Sequence, residues 1–190
     1  MIAVVSAGLS LPSSSKLLAD RLAEAAGAAT GLEAVHIELR DLAVAVAGNL
    51  VTGFPAPDLA TALETVTAAD ALIAVTPIFN GSYNGLFKSF FDVLDRDALD
   101  GKPVLLGATG GTARHSMALD FAIRPMFAHL RARTVPTAVF AAPEDWGDGE
   151  SLAPRVTRAA EELAALLQGA PPAPKPVFST FEAELAKLKG

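Results

Sequence analysis

The sequence contains no cysteine among its 190 residues. Without a thiol the chain cannot form a disulfide, use a thiolate nucleophile, or hold zinc or an iron–sulfur cluster through sulfur. His36 and His129 each lack a second histidine or a carboxylate at metal-ligand spacing, so we expect both to be structural and predict no metal site.

Charge is also scarce, and long apolar runs are absent. Charged residues make up 19% of the chain, the net charge is −6, and lysine and arginine form no dense cluster, which argues against nucleic acid as a partner. Polar residues or prolines interrupt every apolar run before the roughly 18 residues that a membrane helix requires. The N-terminal MIAVVSAGLS lacks the features of a secretory signal, so we expect a cytoplasmic protein that crosses no membrane.

The chain does contain five short apolar runs with amphipathic segments after them. This alternation predicts βαβ units and a parallel sheet. The predicted strands are 2–6, 32–39, 71–76, 103–109 and 135–141. The predicted helices are 16–26, with its start near Ser14, 59–69, 86–94, 117–130 and 152–167.

The pattern within the runs indicates where each strand lies. Runs 2–6, 71–76 and 103–109 are almost continuously apolar, as strands covered on both faces must be, and we predict them at the centre of the sheet. Run 32–39 alternates polar and apolar residues, which predicts an edge strand. The chain length favours a flavodoxin-like, doubly wound, five-stranded parallel sheet in a three-layer α/β/α fold.

We predict one domain over residues 1–168, followed by a proline-rich linker at 169–176 and a tail at 177–190. The linker GAPPAPKP contains four prolines, which favour an extended conformation. The tail places Phe178, Phe181, Leu185 and Leu188 at helical spacing. We expect this amphipathic helix to dock on its own domain; the alternative is a contact arm that reaches a partner subunit.

Three loops follow the central strands, and ligands bind at the carboxyl ends of such strands. The first loop, AGLSLPSSSK, carries four candidate phosphate-binding hydroxyls at a helix N-terminus: Ser10, Ser13, Ser14 and Ser15. Hydroxyls and unpaired N–H groups at such a terminus favour an anion. Serine-rich loops are also ordinary helix caps, so this loop alone does not decide.

The second and third loops suit a flat polar ring. The second, TPIFNGSYNGLFKSFFD, places small polar residues between two aromatics, and its candidates are Pro77, Ile78, Phe79, Asn80, Gly81 and Ser82. The third, ATGGTARHS, contains glycines that allow close approach and positive φ, and its candidates are Thr109, Gly110, Gly111 and Thr112. Together the three loops suit FMN. Neither the dinucleotide fingerprint G-x-G-x-x-G nor the phosphate loop G-x-x-x-x-G-K-[ST] occurs.

The second loop resembles the T-P-x-Y-x-x-S-x-x-G-x-x-K-x-x-x-D signature of the NADPH-dependent FMN reductase family. SAGLSLPSSSKLLADRL and ATGGTARHSMAL resemble the family's other two flavin loops, and the likeness spans roughly residues 1–167. It is strongest to the subgroup partnered with luciferase-like monooxygenases. The resemblance implies that the four serines bind the FMN phosphate, that residues 77–82 flank the isoalloxazine and ribityl chain, and that residues 109–112 line the pyrimidine edge. Phe79 stands where many relatives have tyrosine, so only ring packing carries over.

The resemblance also implies an NAD(P)H:FMN oxidoreductase. NADPH or NADH would pass a hydride from its nicotinamide to FMN N5, with no catalytic side chain, and the reduced FMN would supply a partner monooxygenase. It further implies a homodimer or tetramer. The alternatives are a quinone or azo reductase that retains FMN, a flavodoxin-type electron carrier, and a flavin-free interaction module. Trp146 either closes over the nicotinamide pocket or fills a subunit contact, and the sequence leaves the choice between NADH and NADPH open.

Overall fold

The fold is a parallel β-sheet between two layers of helices, and the computed structural model describes residues 1–147 and 152–169. The sheet order is β2-β1-β3-β5, with β6 and β7 both paired to the free side of β5. All these pairings are parallel, and only the short β4 runs antiparallel to β3. The strands are β1 (Ile2–Ser6), β2 (Ala34–Glu38), β3 (Ala71–Phe79), β4 (Ser82–Tyr83), β5 (Pro103–Thr109), β6 (Arg133–Thr134) and β7 (Val139–Ala141).

Six α-helices cover the two faces of the sheet in the part of the chain that is described. They are α1 (Ser14–Thr30), α2 (Ala43–Thr52), α3 (Pro57–Ala68), α4 (Gly85–Asp92), α5 (Arg124–His129) and α6 (Leu152–Gly169). Along β1, Ala3 and Val5 face the apolar core beneath α2 to α5, whereas Ile2 and Val4 face the core beneath α1 and α6. This alternation follows from the two-residue period of a strand. It confirms the predicted doubly wound fold, with three central strands buried on both faces and β2 at an edge.

Helix α2 was absent from the sequence-based prediction. Its sequence AVAVAGNLVT has no amphipathic stripe, because Val44 and Val51 are each 87% exposed while only Val46 and Asn49 are buried. The expected count of five helices was therefore wrong.

Two other predicted elements are interrupted. The strand expected at 135–141 is formed only over its last three residues, as β7, and β6 ends just before it. Pro136, between the two strands, has no N–H to donate to a neighbouring strand. The helix expected at 117–130 begins with a π-helical turn, Leu119–Ile123, and continues as α5. Pro125 cannot donate to the carbonyl four residues earlier, which accounts for the wider turn.

The predicted linker and tail, residues 170–190, lie outside the described part of the chain, and α6 ends at Gly169. None of the described helices has the length and hydrophobicity needed to cross a bilayer. The carboxyl ends of β1, β3, β5 and β7 meet at one edge of the sheet, and the loops that follow them build the site.

Candidate functional site

A cleft of about 410 Å³ lies at this edge of the sheet. Ten of the fourteen predicted site residues form its wall: Ser10, Ser13, Ser14, Ser15, Pro77, Ile78, Phe79, Thr109, Gly110 and Gly111. Five further residues of the wall were not on the predicted list: Gly8, Leu9, Ala141, Pro143 and Trp146. The three predicted loops therefore converge on one cavity.

The first loop turns directly into α1 and presents the beginning of that helix to the cleft. Ser13 is the N-cap, and its Oγ accepts a hydrogen bond from the Lys16 N–H at 3.2 Å. The N–H groups of Ser14 and Ser15, at the start of the helix, have no carbonyl within the helix to bond. The first turn of α1 contains no acidic residue. Helix polarity and unpaired donors together suit an anion here.

Lys16 adds a cation next to this loop. Its ammonium bonds Asp20 at 2.7 Å. That hydrogen bond holds the pKa of Lys16 above its ordinary value, although partial burial acts in the opposite direction.

Ser15 joins two of the three loops. Its Oγ lies 2.7 Å from Thr109 Oγ1, and both side chains are buried. The bond links the start of α1 to the end of β5. Ser15 therefore holds the wall together, whereas Ser14 is the exposed hydroxyl of the first turn.

Gly8 is a functional position that sequence reasoning missed. A Cβ at this residue would lie 1.9 Å from Ser13 Oγ and 3.0 Å from Ser13 Cβ. The loop can therefore fold back over its own N-cap only with glycine at this position. A glycine just after a strand and just before a serine-rich helix start was the available signal.

The second loop forms a hairpin that projects from the cleft. Phe79 pairs with Ser82 across β3 and β4. Asn80 and Gly81 between them have φ of 51° and 83°, as a two-residue hairpin turn requires. Phe79 lies in the wall and is 47% exposed. Asn80, Gly81 and Ser82 lie at the hairpin tip and not in the wall, so their contact with a flavin stays a prediction.

Asn84, which sequence reasoning also missed, holds the second loop against the first. Its Nδ2 donates to the Ala7 carbonyl at 2.7 Å, and its Oδ1 accepts from the Phe87 N–H at 2.8 Å as the N-cap of α4. Its own N–H donates to Thr76 Oγ1 at 3.2 Å. Asn84 is 2% exposed. The residue thus connects β1, β3 and α4 beneath the cleft.

In the third loop, Gly110 is needed because a side chain would not fit there, and not because of its backbone conformation. Neither Gly110 nor Gly111 has the positive φ that glycine allows. A Cβ on Gly110 would lie 2.8 Å from Phe140 Cζ, and its N–H already donates to the Ala141 carbonyl at 3.2 Å. Within the described ranges the Gly111 N–H has no hydrogen-bond partner, so it is the available donor of the pair. Thr112 lies outside the wall and caps the following turn through the Arg114 N–H.

The loop after β7 closes the cleft and carries Trp146. Asp145 Oδ2 accepts a hydrogen bond from the Ala142 N–H at 2.8 Å, which fixes the turn. Arg155 of α6 pairs with Asp145 and donates to the Phe140 carbonyl at 2.7 Å. Trp146 therefore occupies the wall from a braced loop.

The wall of the cleft combines the start of α1, which suits an anion, with apolar and aromatic side chains and the backbone N–H of Gly111. In the described ranges no group of three histidine or acidic side chains is placed to hold a metal ion. A flat polar ring with a phosphate-bearing chain matches this arrangement.

Comparison with known proteins gives the same result. The family model described as NADPH-dependent FMN reductase matches residues 1–147. An FMN reductase (NADPH) from Pseudomonas aeruginosa is 36% identical over 172 residues, which covers 88% of this chain and 92% of the relative. The NADH-dependent FMN reductase SfnF from Pseudomonas putida is 34% identical, with the same shares covered.

Solved structures are also similar. An oxidoreductase from Corynebacterium diphtheriae has a TM-score of 0.86 at 44% identity, covering 90% of this chain and 97% of that one. A flavodoxin from the Archaea, at 14% identity and a TM-score of 0.62, covers 88% of this chain and 99% of its own, and shows the shared fold alone.

Proposed function

The chain belongs to the NADPH-dependent FMN reductase family and is an NAD(P)H:FMN oxidoreductase, and from that premise we propose that the cleft binds FMN for reduction and releases it to a partner monooxygenase. The observation that carries this proposal is the convergence of the three predicted loops on one cavity, with a helix N-terminus at one end. When bound there, FMN accepts a hydride from the reduced nicotinamide at its N5 atom, so the reactivity belongs to the two cofactors.

The residues of the cleft fit FMN. Gly8 leaves open the close turn over Ser13 that a Cβ would fill, and the N-terminus of α1 provides N–H donors for a phosphate. Ser10, Ser13 and Ser14 supply hydroxyls at that end. Pro77, Ile78 and Phe79 supply the apolar surface for the ring.

The donor for the polar edge of the ring is the Gly111 N–H. Among the described residues this group is unpaired, whereas the Gly110 N–H is committed to Ala141. A fixed backbone donor beside an atom that gains negative charge on reduction favours the reduced state.

Release to a monooxygenase is supported by the openness of the cleft and by the resemblance to the subgroup that has such partners. In the wall of the cleft, Phe79 is 47% exposed and Leu9 is 45% exposed. The side chains proposed to contact the flavin ring are therefore accessible to solvent. The relative from Pseudomonas aeruginosa is named for NADPH and the relative from Pseudomonas putida for NADH, so we test both nicotinamides.

We also propose that the enzyme is a homodimer or tetramer. Large apolar side chains stand exposed on two parts of the surface: Val44, Val51 and Phe54 around α2, and Met117 and Phe121 near the π-helical turn. Exposed apolar patches of this kind mark protein contacts.

The test is FMN-dependent oxidation of NADPH and of NADH by the purified full chain, followed by the loss of nicotinamide absorbance. The variant Ser14→Asp places a carboxylate at the proposed phosphate end and should weaken FMN binding at least tenfold, because like charges repel at close range. Thr61→Asp, an exposed hydroxyl residue early in α3, is the matched control and should leave the FMN Kd unchanged.

Each outcome has a distinct meaning. Rapid oxidation with loss of FMN binding in Ser14→Asp alone supports the reductase and its phosphate end together. FMN binding without oxidation of either nicotinamide would favour an electron carrier. FMN that stays bound through dialysis and turnover would favour a reductase that retains its flavin over one that supplies a partner.

A further inference from the structure

Trp146 gives the cleft a second aromatic surface besides Phe79, at the side formed by the loop after β7. It is the chain's single tryptophan. The loop is held by the hydrogen bond between Ala142 and Asp145 and by Arg155. The indole is therefore presented to the cleft by a braced turn.

Arg21 of α1 covers this indole. Its Cζ lies 5.1 Å from the ring centroid, within the range of a cation–π contact. Over residues 1–147 and 152–169 no carboxylate forms an ion pair with Arg21, whereas Lys16 on the same helix is paired with Asp20. The donors of this guanidinium are thus not committed to an acidic side chain.

Arg21 is not itself in the wall of the cleft but lies further along α1, beyond the phosphate end. Ser14 is in the wall, and Arg21 follows it by two turns of α1, about 10 Å along the helix axis. Trp146 lies in the wall and contacts Arg21. A ligand that leaves the cleft across the indole therefore meets the guanidinium.

Resting on the proposed function, we propose that Trp146 and Arg21 form the subsite for the adenosine 2′-phosphate of NADPH, and that Arg21 makes the enzyme prefer NADPH over NADH. The two dinucleotides differ only in this phosphate. A guanidinium binds a phosphate monoester through two parallel hydrogen bonds, and the indole holds this guanidinium in place at the cleft through the cation–π contact.

Steady-state kinetics with saturating FMN tests the preference. Arg21→Gln should lower kcat/KM for NADPH by about 10-fold to 100-fold, as expected for a lost hydrogen bond to a charged group, with kcat/KM for NADH unchanged. Arg21→Lys keeps the positive charge but lacks the planar guanidinium group. Its kcat/KM for NADPH should lie between those of the native enzyme and of Arg21→Gln. Arg158→Gln, an exposed arginine of α6 paired with Glu162, is the matched control and should behave like the native enzyme.

A binding experiment separates this subsite from the flavin site. The probes are adenosine 2′,5′-bisphosphate and adenosine 5′-monophosphate, and the readouts are calorimetry and the fluorescence of Trp146. The bisphosphate should bind the native chain more tightly and lose this advantage in Arg21→Gln, while FMN affinity stays constant.

Equal affinity for the two probes, or an equal fall in kcat/KM for NADPH and NADH, would overturn the proposal. Retained FMN binding in that case would leave the reductase proposal standing. Loss of FMN binding in the native chain would instead count against the reductase proposal, while the probe comparison would still report on Arg21.

Discussion

At the residue scale, the shape of the phosphate end depends on Gly8, because the loop leaves no space there for even a methyl group. The Cβ of an alanine there would meet the Ser13 side chain at 1.9 Å, and Ser13 is the N-cap of α1. Both the loop and the cap must move to accept it. Gly110 is under the same constraint from Phe140.

We predict that Gly8→Ala weakens FMN binding at least tenfold and lowers the free energy of unfolding by about 1–3 kcal/mol, as overpacking does. The measurements are quenching of FMN fluorescence and urea unfolding. Gly48→Ala is the matched control, because nothing lies within 4 Å of its Cβ. Within α2 that change should raise stability by about 0.5–1 kcal/mol. Equal FMN affinity in the two variants would contradict the role of Gly8.

At the element scale, Asn84 ties the end of β1 to the start of α4. We predict that Asn84→Ala lowers the free energy of unfolding by about 2–4 kcal/mol, because it removes a helix cap and leaves the buried Ala7 carbonyl without its donor. Asn84→Ser keeps a capping oxygen but cannot reach Ala7, so it should recover part of the stability. Both variants should bind FMN more weakly, and a variant with native FMN affinity would show that Asn84 does not position the first loop.

The second element-scale contact joins α6 to the connection between β6 and β7. Glu162 accepts hydrogen bonds from the Thr137 N–H at 2.6 Å and the Thr137 hydroxyl at 2.8 Å, and it pairs with Arg158. Burial alone would raise the pKa of Glu162, but these hydrogen bonds outweigh it and hold the pKa below its ordinary value of 4.5.

A carboxyl group with a lowered folded pKa binds fewer protons in the folded than in the unfolded state at acidic pH. The contribution of Glu162 to the free energy of unfolding is therefore complete above pH 4.5 and is lost as the pH falls through the pKa that Glu162 has in the folded chain. We predict that Glu162→Gln costs about 1–2 kcal/mol at neutral pH and that its difference from the native chain shrinks on acidification. Urea unfolding across this pH range measures it, and a difference that grows on acidification would refute the assignment.

At the scale of the whole molecule, the predicted tail at 177–190 and the exposed apolar patches bear on assembly. We predict that a chain ending at Gly169 keeps the number of subunits of the full chain but loses stability, with Tm falling by roughly 2–4 °C for each kcal/mol lost, because the tail is expected to dock on its own domain. Light scattering and thermal unfolding measure the two quantities. Fewer subunits with unchanged Tm would assign the tail to a subunit contact instead.

The amino-acid sequence by itself determined β1, β2, β3, β5 and the region of β7, five of the six described α-helices, the central position of β1, β3 and β5, and the three loops that build the cleft. These features depend on local periodicity and on residues close together in the chain. It did not reveal α2, whose apolar residues form no stripe. It also did not reveal Asn84 and Ala7, which are 77 residues apart, or the bond between Ser15 and Thr109, which are 94 apart. Only the folded chain brings such groups within hydrogen-bond distance. For the same reason, only the tertiary structure placed Arg21 over the Trp146 ring and packed Phe140 so close to Gly110 that no side chain fits there.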